Sequence, residues 1–362
     1  MKKLSVTKSL YLLILSFFSI QLYAQNITIP SGASPAATVS QTIGISTIEV
    51  SYGRPAVKGR AIWGSLVPYG WNVQGFGLGN KAPWRAGANE NTTVKFSHDA
   101  TVEGQKVPAG TYGLFFVINQ DNTGEVILSK DHKSWGSFFY DEKNDQLRAK
   151  IKIQETAATE LLTYDFINIE KNSTDLVLKW EKKQFPVKIS FAVDQIVLAN
   201  AKDELKGPTG FGWQGYASAA NYALQNKLET DQAIVWIDRA LTQNQSFTTF
   251  NVKAGLLEAK GQTAEAEKFK KQAIDKATEG ELNTYGYQLL GNGDTDKAIE
   301  VFLLNTQKNP KSANTWDSLG EAYAKKGDTK NAIASYKKSL NLNPSEAVRI
   351  SSETSLKRLG AM

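Results

Sequence analysis

Residues 53–91 gather the side chains best suited to hold a ligand. The segment contains eight glycines (53, 59, 64, 70, 75, 77, 79 and 87), three tryptophans (Trp63, Trp71 and Trp84) and the charges Arg54, Lys58, Arg60, Lys81, Arg85 and Glu90. Glycine lets backbone approach a bound molecule, tryptophan offers a flat apolar face, and arginine supplies a planar fork of donors. The mixture suits a sugar, a peptidoglycan fragment or another polar ligand. The candidate ligand-binding residues are Arg54, Lys58, Arg60, Trp63, Trp84, Arg85, Asn89 and Glu90. A plainer reading stands beside it, in which the segment is a flap whose tryptophans complete a core.

Catalytic groups are scarcer. The chain has no cysteine, which removes disulfides, thiolate zinc sites, cysteine nucleophiles and thioester lipid anchors. Its two histidines lie in His98-Asp99 and Asp131-His132, pairs that lack a third nitrogen ligand and are ordinary at strand ends. No Gly-x-Ser-x-Gly elbow occurs. Gly75-Phe-Gly-Leu-Gly79 has no strand–turn–helix frame, and Ser335-Tyr-Lys-Lys338 falls inside a repeat helix. Glu90 could form a hydrolytic pair with Asp141 or Glu142 only if folding brings the carboxylates within about 5–10 Å. The favoured expectation is that Glu90 pairs with Arg85 or Arg54 and pins the loop. No metal and no cofactor is expected.

Short strands must position that loop. Alternation and β-branched content predict Thr47–Tyr52, Thr92–Ser97, Tyr112–Ile118, Glu125–Ser129, Ala149–Gln154, Leu162–Ile169, Asp175–Lys179 and Val187–Val193. Their close spacing implies an antiparallel β-sandwich over residues 25–205. A helix near Val193–Leu205 leads to a linker at 206–212.

Lys2, Lys3 and Lys8, the apolar run Leu10–Ile20 and the ending Leu22-Tyr23-Ala24 describe a signal peptide over residues 1–24, so a periplasmic or secreted protein is expected. Its loss lowers the formal charge from +6 to +3, because three lysines and no acids leave with it. Residues 25–205 are then net neutral and 206–362 carry +3 without a basic stripe. Nucleic acid is therefore not an expected partner. Stable membrane insertion after cleavage is not expected either.

The second half is periodic. Gly293, Asp294, Thr295, Ala298, Ile299, Phe302 and Pro310 recur 34 residues later as Gly327, Asp328, Thr329, Ala332, Ile333, Tyr336 and Pro344. With Trp316, Leu319, Gly320 and Tyr323 this resembles the tetratricopeptide repeat, in four units over 213–362 closed by a polar terminal helix at 346–361. Lys270 stands where the second unit should carry an aromatic. Such an array implies an α-helical solenoid with a concave face for a protein or peptide. Its candidate groove residues are Tyr222, Asn251, Asn283, Tyr287, Asn314, Asp317 and Glu321.

Three stretches of the first half occur in order: Ser51-Tyr-Gly-Arg-Pro-Ala-Val-Lys-Gly-Arg60, Pro83-Trp-Arg-Ala-Gly-Ala-Asn-Glu90 and Pro108-Ala-Gly-Thr-Tyr-Gly-Leu-Phe115. They resemble a secreted bacterial family known as domain of unknown function 2911, over most of residues 33–195. Members with a tetratricopeptide-like tail resemble the whole chain, including Gly212-Trp213-Gln214-Gly215. The resemblance supports the domain limits and implies no activity.

The reading that follows is an exported, non-catalytic binding or scaffold protein. Its β domain would take a polar or glycan-like ligand and its repeats a protein or peptide. The alternative is an envelope-associated hydrolase using Glu90 and a second carboxylate.

Overall fold

The structure, a computed structural model, describes residues 34–361. The expected signal peptide lies outside the described residues. Two compact units meet at Val193/Asp194.

The first unit is built from two antiparallel sheets. One has the order β1 (Ala36–Ile43), β2 (Ser46–Gly53), β5 (Thr93–Phe96), β8 (Gly110–Ile118), β9 (Thr123–Ser129) and β10 (Asp145–Lys152). The other has the order β11 (Gln154–Ile167), β12 (Ser173–Phe191), β6 (Ala100–Val102) and β7 (Gln105–Val107). The ribbon of β3 (Asn72–Val73) and β4 (Lys81–Ala82) lies within the glycine-rich segment. In β2, Ile48, Val50 and Tyr52 are buried while Thr47 and Glu49 are exposed, the alternation expected of a strand with one face inward. Aromatic rings join the sheets: Tyr52 meets Tyr164 edge-on at 4.7 Å, and Phe116 meets Phe185 at 5.5 Å.

Strand β8 is buried on both faces from Tyr112 to Ile118. Phe116 faces the opposite sheet, whereas Phe115 and Val117 pack with Ala82, Ile127 and Tyr140 and against Trp71. Through Trp71 the glycine-rich segment covers part of the outer face of the six-stranded sheet.

Three features differ from the sequence pattern. The edge strand β1 escapes it because Ala-Ala-Thr-Val-Ser-Gln-Thr-Ile has few large apolar residues. Strands β3, β4, β6 and β7 are two or three residues long, too short to show a period. While Val193 opens the following helix, the predicted strand Asp175–Lys179 and residues 187–191 of the predicted Val187–Val193 belong to one 19-residue strand, β12. Its polar centre reads as a turn, yet it stays in the sheet opposite β11 with shifted register at Glu155/Thr159 and Thr159/Thr163. Glu181 there adopts a left-handed conformation, φ 53°.

The second unit is helical: α1 (Val193–Glu204), α2 (Trp213–Asn226), α3 (Thr230–Leu241), α4 (Phe247–Ala259), α5 (Thr263–Lys276), α6 (Glu279–Gly291), α7 (Thr295–Lys308), α8 (Ala313–Lys326), α9 (Thr329–Leu340) and α10 (Glu346–Arg358). Helix α1 is assigned with the repeats rather than with the strands, since Leu198 joins the cluster of Ala217, Ala220, Ala223, Trp236 and Ile237. Repeat-to-repeat bonds step by about one period. Lys308 donates to the Ile274 carbonyl at 3.2 Å, Tyr287 to Glu321 at 2.8 Å, and Ser351 to Asp317 at 3.0 Å. Within pairs, small residues let helices approach: a Cβ on Gly286 would lie 2.5 Å from the Phe302 ring, and one on Gly320 would lie 2.8 Å from Tyr336. Gly327 closes α8 at φ 85°, and Asp328 caps α9 by accepting from the Asn331 amide at 3.1 Å. Helix α9 stops at Leu340, before Asn343-Pro344, and Asn343 is itself left-handed at φ 51°. In the second pair Lys270, in place of an aromatic, forms ion pairs with Glu258 and with Glu267.

Candidate functional site

The glycine-rich segment is pinned at many points, and a cavity of about 730 Å³ remains among its turns. That volume is within the range of small-ligand sites. At the start, the Val57 amide donates to the Glu160 carbonyl (2.9 Å), the Lys58 amide to Glu160 Oε1 (2.8 Å), and the Leu162 amide returns to the Pro55 carbonyl (3.0 Å). Residues 55–58 are thus fastened along β11. Farther on, Trp84 exchanges both backbone hydrogen bonds with Phe116 of β8, at 2.8 and 2.9 Å. The Ala86 carbonyl accepts from Thr92 Oγ1 (3.2 Å) and from the Tyr164 hydroxyl (3.0 Å). Glycine is required at 53, because a Cβ there would sit 2.1 Å from the Ala88 carbonyl oxygen.

Five of the eight candidate residues line this cavity: Lys58, Arg60, Trp84, Arg85 and Asn89. Arg85 donates through Nη1 to the Asn89 carbonyl at 2.7 Å, and its guanidinium lies 5.6 Å from the Trp135 and Phe138 ring centres. Burial lowers the Arg85 pKa from its ordinary value, and the Glu90 charge opposes that shift. The guanidinium of Arg60 folds back onto the Val57 carbonyl (3.1 Å) and that of Ala56. Trp84 stacks near-parallel to Trp180 at 5.9 Å and meets Trp63 edge-on at 5.8 Å.

The other three candidates lie elsewhere. Arg54 crosses to β11, donating to the Leu162 carbonyl (3.0 Å) and Thr163 Oγ1 (2.7 Å). Trp63 packs on Trp180 and Phe185, and its indole N–H donates to Glu181 at 3.2 Å. Glu90 is exposed, and among the described residues no ion pair joins it to Arg85 or Arg54. Asp141 caps a short 3-10 turn, and Glu142 takes Arg148 Nη2 at 3.2 Å. His98 bonds Ser97 (2.9 Å), and His132 meets the Lys130 carbonyl (3.3 Å).

Trp180, Asn72, Gln74, Ser137 and Phe138 complete much of the wall and were not among the candidates. Trp180 is hidden in a strand pattern where a large apolar residue reads simply as core. The aromatic run Trp135-Gly-Ser-Phe-Phe-Tyr140 was the available signal for the last two, since it breaks the strand rhythm. The Trp180 indole N–H is buried, the residue being 1% exposed, and has no acceptor among the described residues. No Asp or Glu is among the residues that line the cavity.

On the helical unit, the candidate groove residues are unevenly free. The Tyr222 hydroxyl donates to Asp194 at 2.8 Å. Tyr287 reaches Ser318 (3.3 Å) and Glu321 (2.8 Å); burial first, and then the Glu321 charge, hold its phenol above the usual range. Asp317 is 7% exposed beneath α10, accepting from Ser351 and Ser352. Asn251, Asn283 and Asn314 are partly buried, and Asn283 Oδ1 has no partner among the described residues.

Comparison with known proteins agrees with this division. Residues 34–189 match the family described as protein of unknown function (DUF2911), and residues 313–346 match the tetratricopeptide repeat. No curated protein matches the chain. Similar solved structures include YrrB, described as a TPR protein with an unusual peptide-binding site: 18% identity, 44% of this chain and 84% of that one, TM-score 0.28. MamA is similar at 18% identity, over 42% of this chain and 89% of that one, TM-score 0.28. The C-terminal part of a TPR repeat-containing protein from Cytophaga hutchinsonii is similar at 18% identity, over 41% and 63%, TM-score 0.28.

Proposed function

From a β domain of the DUF2911 type joined to tetratricopeptide repeats, we propose an exported binding or scaffold protein. Its β domain holds a polar, saccharide-like ligand, and its helical repeats hold a protein or peptide. The basic head, apolar run and Leu22-Tyr23-Ala24 ending support export. Among the described residues no helix is long and apolar enough to cross a membrane. The repeat architecture supports the partner role.

One observation carries the preference for binding over hydrolysis: the cavity is walled by cations, amides, hydroxyls and indoles, with no carboxylate among its lining residues. Glycoside hydrolysis by an acid–base pair needs two carboxyl groups facing the bond. Glu142 is engaged by Arg148 and Asp141 caps a turn, so neither supplies the second. The test is incubation with envelope polysaccharides while reducing ends and tryptophan fluorescence are both followed. Binding without reducing-end release, equal in Glu90→Gln, is expected. Release of reducing ends that Glu90→Gln abolishes would establish the hydrolase instead.

A further inference from the structure

We infer that the β-domain cavity selects an acidic saccharide: a sugar ring that packs on Trp84 and meets the side-chain amides and hydroxyl of the wall, and whose carboxylate meets Lys58, Arg60 and Arg85. The inference rests on the β domain being a saccharide binder and adds the charge that the site reads.

Three cationic side chains line one cavity, and no lining residue compensates them. Of the carboxylates nearby, Glu90 is exposed and outside the wall although its charge acts on Arg85, and Glu160 and Glu181 are engaged by N–H donors. Glu160 accepts from the Lys58 backbone amide (2.8 Å), and Glu181 accepts from the Trp63 indole (3.2 Å) and the Lys182 amide (2.6 Å). Lys58 and Arg60 are exposed and Arg85 is half-buried with the Glu90 charge acting on it, so the wall itself carries positive charge that an entering anion would meet. Arg85 is already oriented for that task. Its guanidinium lies beside two aromatic rings and Nη1 is fixed by Asn89, so little rotamer freedom remains to be lost on binding.

A bare anion would leave the rest of the wall unused. Trp180 is 1% exposed and backs the wall. Trp84 lies beside it, with Asn72, Gln74 and Ser137 also on the wall. Indole faces with amides and hydroxyls match a ring that is apolar on one face and hydroxylated at its edge. Two lining residues, Lys58 (φ 47°) and Asn89 (φ 63°), are left-handed without being glycine. Such conformations are costly and persist where surrounding bonds over-determine them. Here those bonds are the Glu160 contact for Lys58 and the Ser34 and Arg85 contacts for Asn89.

The experiment titrates the full chain with uronate-containing oligosaccharides, with the methyl esters of the same oligosaccharides, and with inorganic phosphate, followed by calorimetry. The acids are expected to bind at least ~10-fold more tightly than their esters, the scale of one charge-assisted hydrogen bond. Lys58→Gln and Arg85→Gln should each erase most of that difference, weakening the acids by far more than the esters. Should Arg85→Gln unfold, Lys58→Gln decides alone, because the loop is fastened by the Lys58 amide and not by its ammonium. Equal affinity for acid and ester overturns the inference and leaves a saccharide binder that ignores charge. Phosphate binding as tight as the uronates overturns the saccharide part. Loss of all saccharide binding, neutral and acidic, overturns the proposed function as well.

Discussion

Asp317 shows how a polar residue can hold an array together at a cost. Burial raises its pKa, and the hydroxyls of Ser352 and Ser351 oppose that shift without cancelling it. A carboxyl whose folded value lies above its unfolded value penalises the fold when ionised. That penalty is fully present above the folded value and disappears as pH falls toward the ordinary Asp range. Wild type should therefore gain stability relative to Asp317→Asn as the pH drops through that window, as read from paired urea denaturations between pH 7 and 4. A difference that stays constant, or moves the other way, would show that Asp317 titrates normally. The same scale explains which parts of the candidate site were legible. Residue types marked the 53–91 segment as a candidate, and Lys58, Arg60, Trp84, Arg85 and Asn89 do line one cavity. Types carry no direction, however. Arg54 and Trp63 occur in the same segment, but backbone pairing aims one along β11 and the other at Trp180. Glu90 was expected to pin the loop, a task the structure gives to backbone bonds and to the Arg85–Asn89 contact.

At the scale of elements, the repeats were readable because a 34-residue period repeats a packing requirement. Gly286 and Gly320 each face an aromatic ring sixteen residues on, Phe302 and Tyr336. Gly320→Ala would place its Cβ 2.8 Å from the buried Tyr336 ring, so one side chain must yield. Overpacking of this kind costs ~1–3 kcal/mol. A fall in the thermal midpoint of the helical unit, with the β domain unchanged by near-UV circular dichroism, is the expected result. An unshifted midpoint would mean that the pair closes less tightly than described. The shortest strands were less legible for an equally physical reason. Period-2 patterning needs several residues, whereas β6 and β7 are too short; β8, though dry on both sides, was read as Tyr112–Ile118 from its β-branched and aromatic content. The continuity of β12 is set by its partner β11, through pairing that local sequence does not encode.

For the whole molecule, division into a sheet unit and a helical unit makes two tasks separable within one chain, and α1 is assigned with the helical unit. The seal over Asp317 has a consequence for how such a chain can lengthen. Ser351 stands one period beyond Asp317, in the place that a further first helix would occupy, and its hydroxyl is one of the two, with that of Ser352, that the carboxylate meets. Tandem duplication of residues 313–346, the simplest genetic route to a longer array, would replace that serine with a second copy of Asp317. Two carboxylates would then share the junction. The chain already carries the neutral alternative one period earlier, at Asn283. A duplicated array should thus melt lower than the same array with Asn at its first copy of position 317, and equal midpoints would refute the point. Copying this repeat therefore introduces a like-charge contact that loss of one carboxylate would relieve.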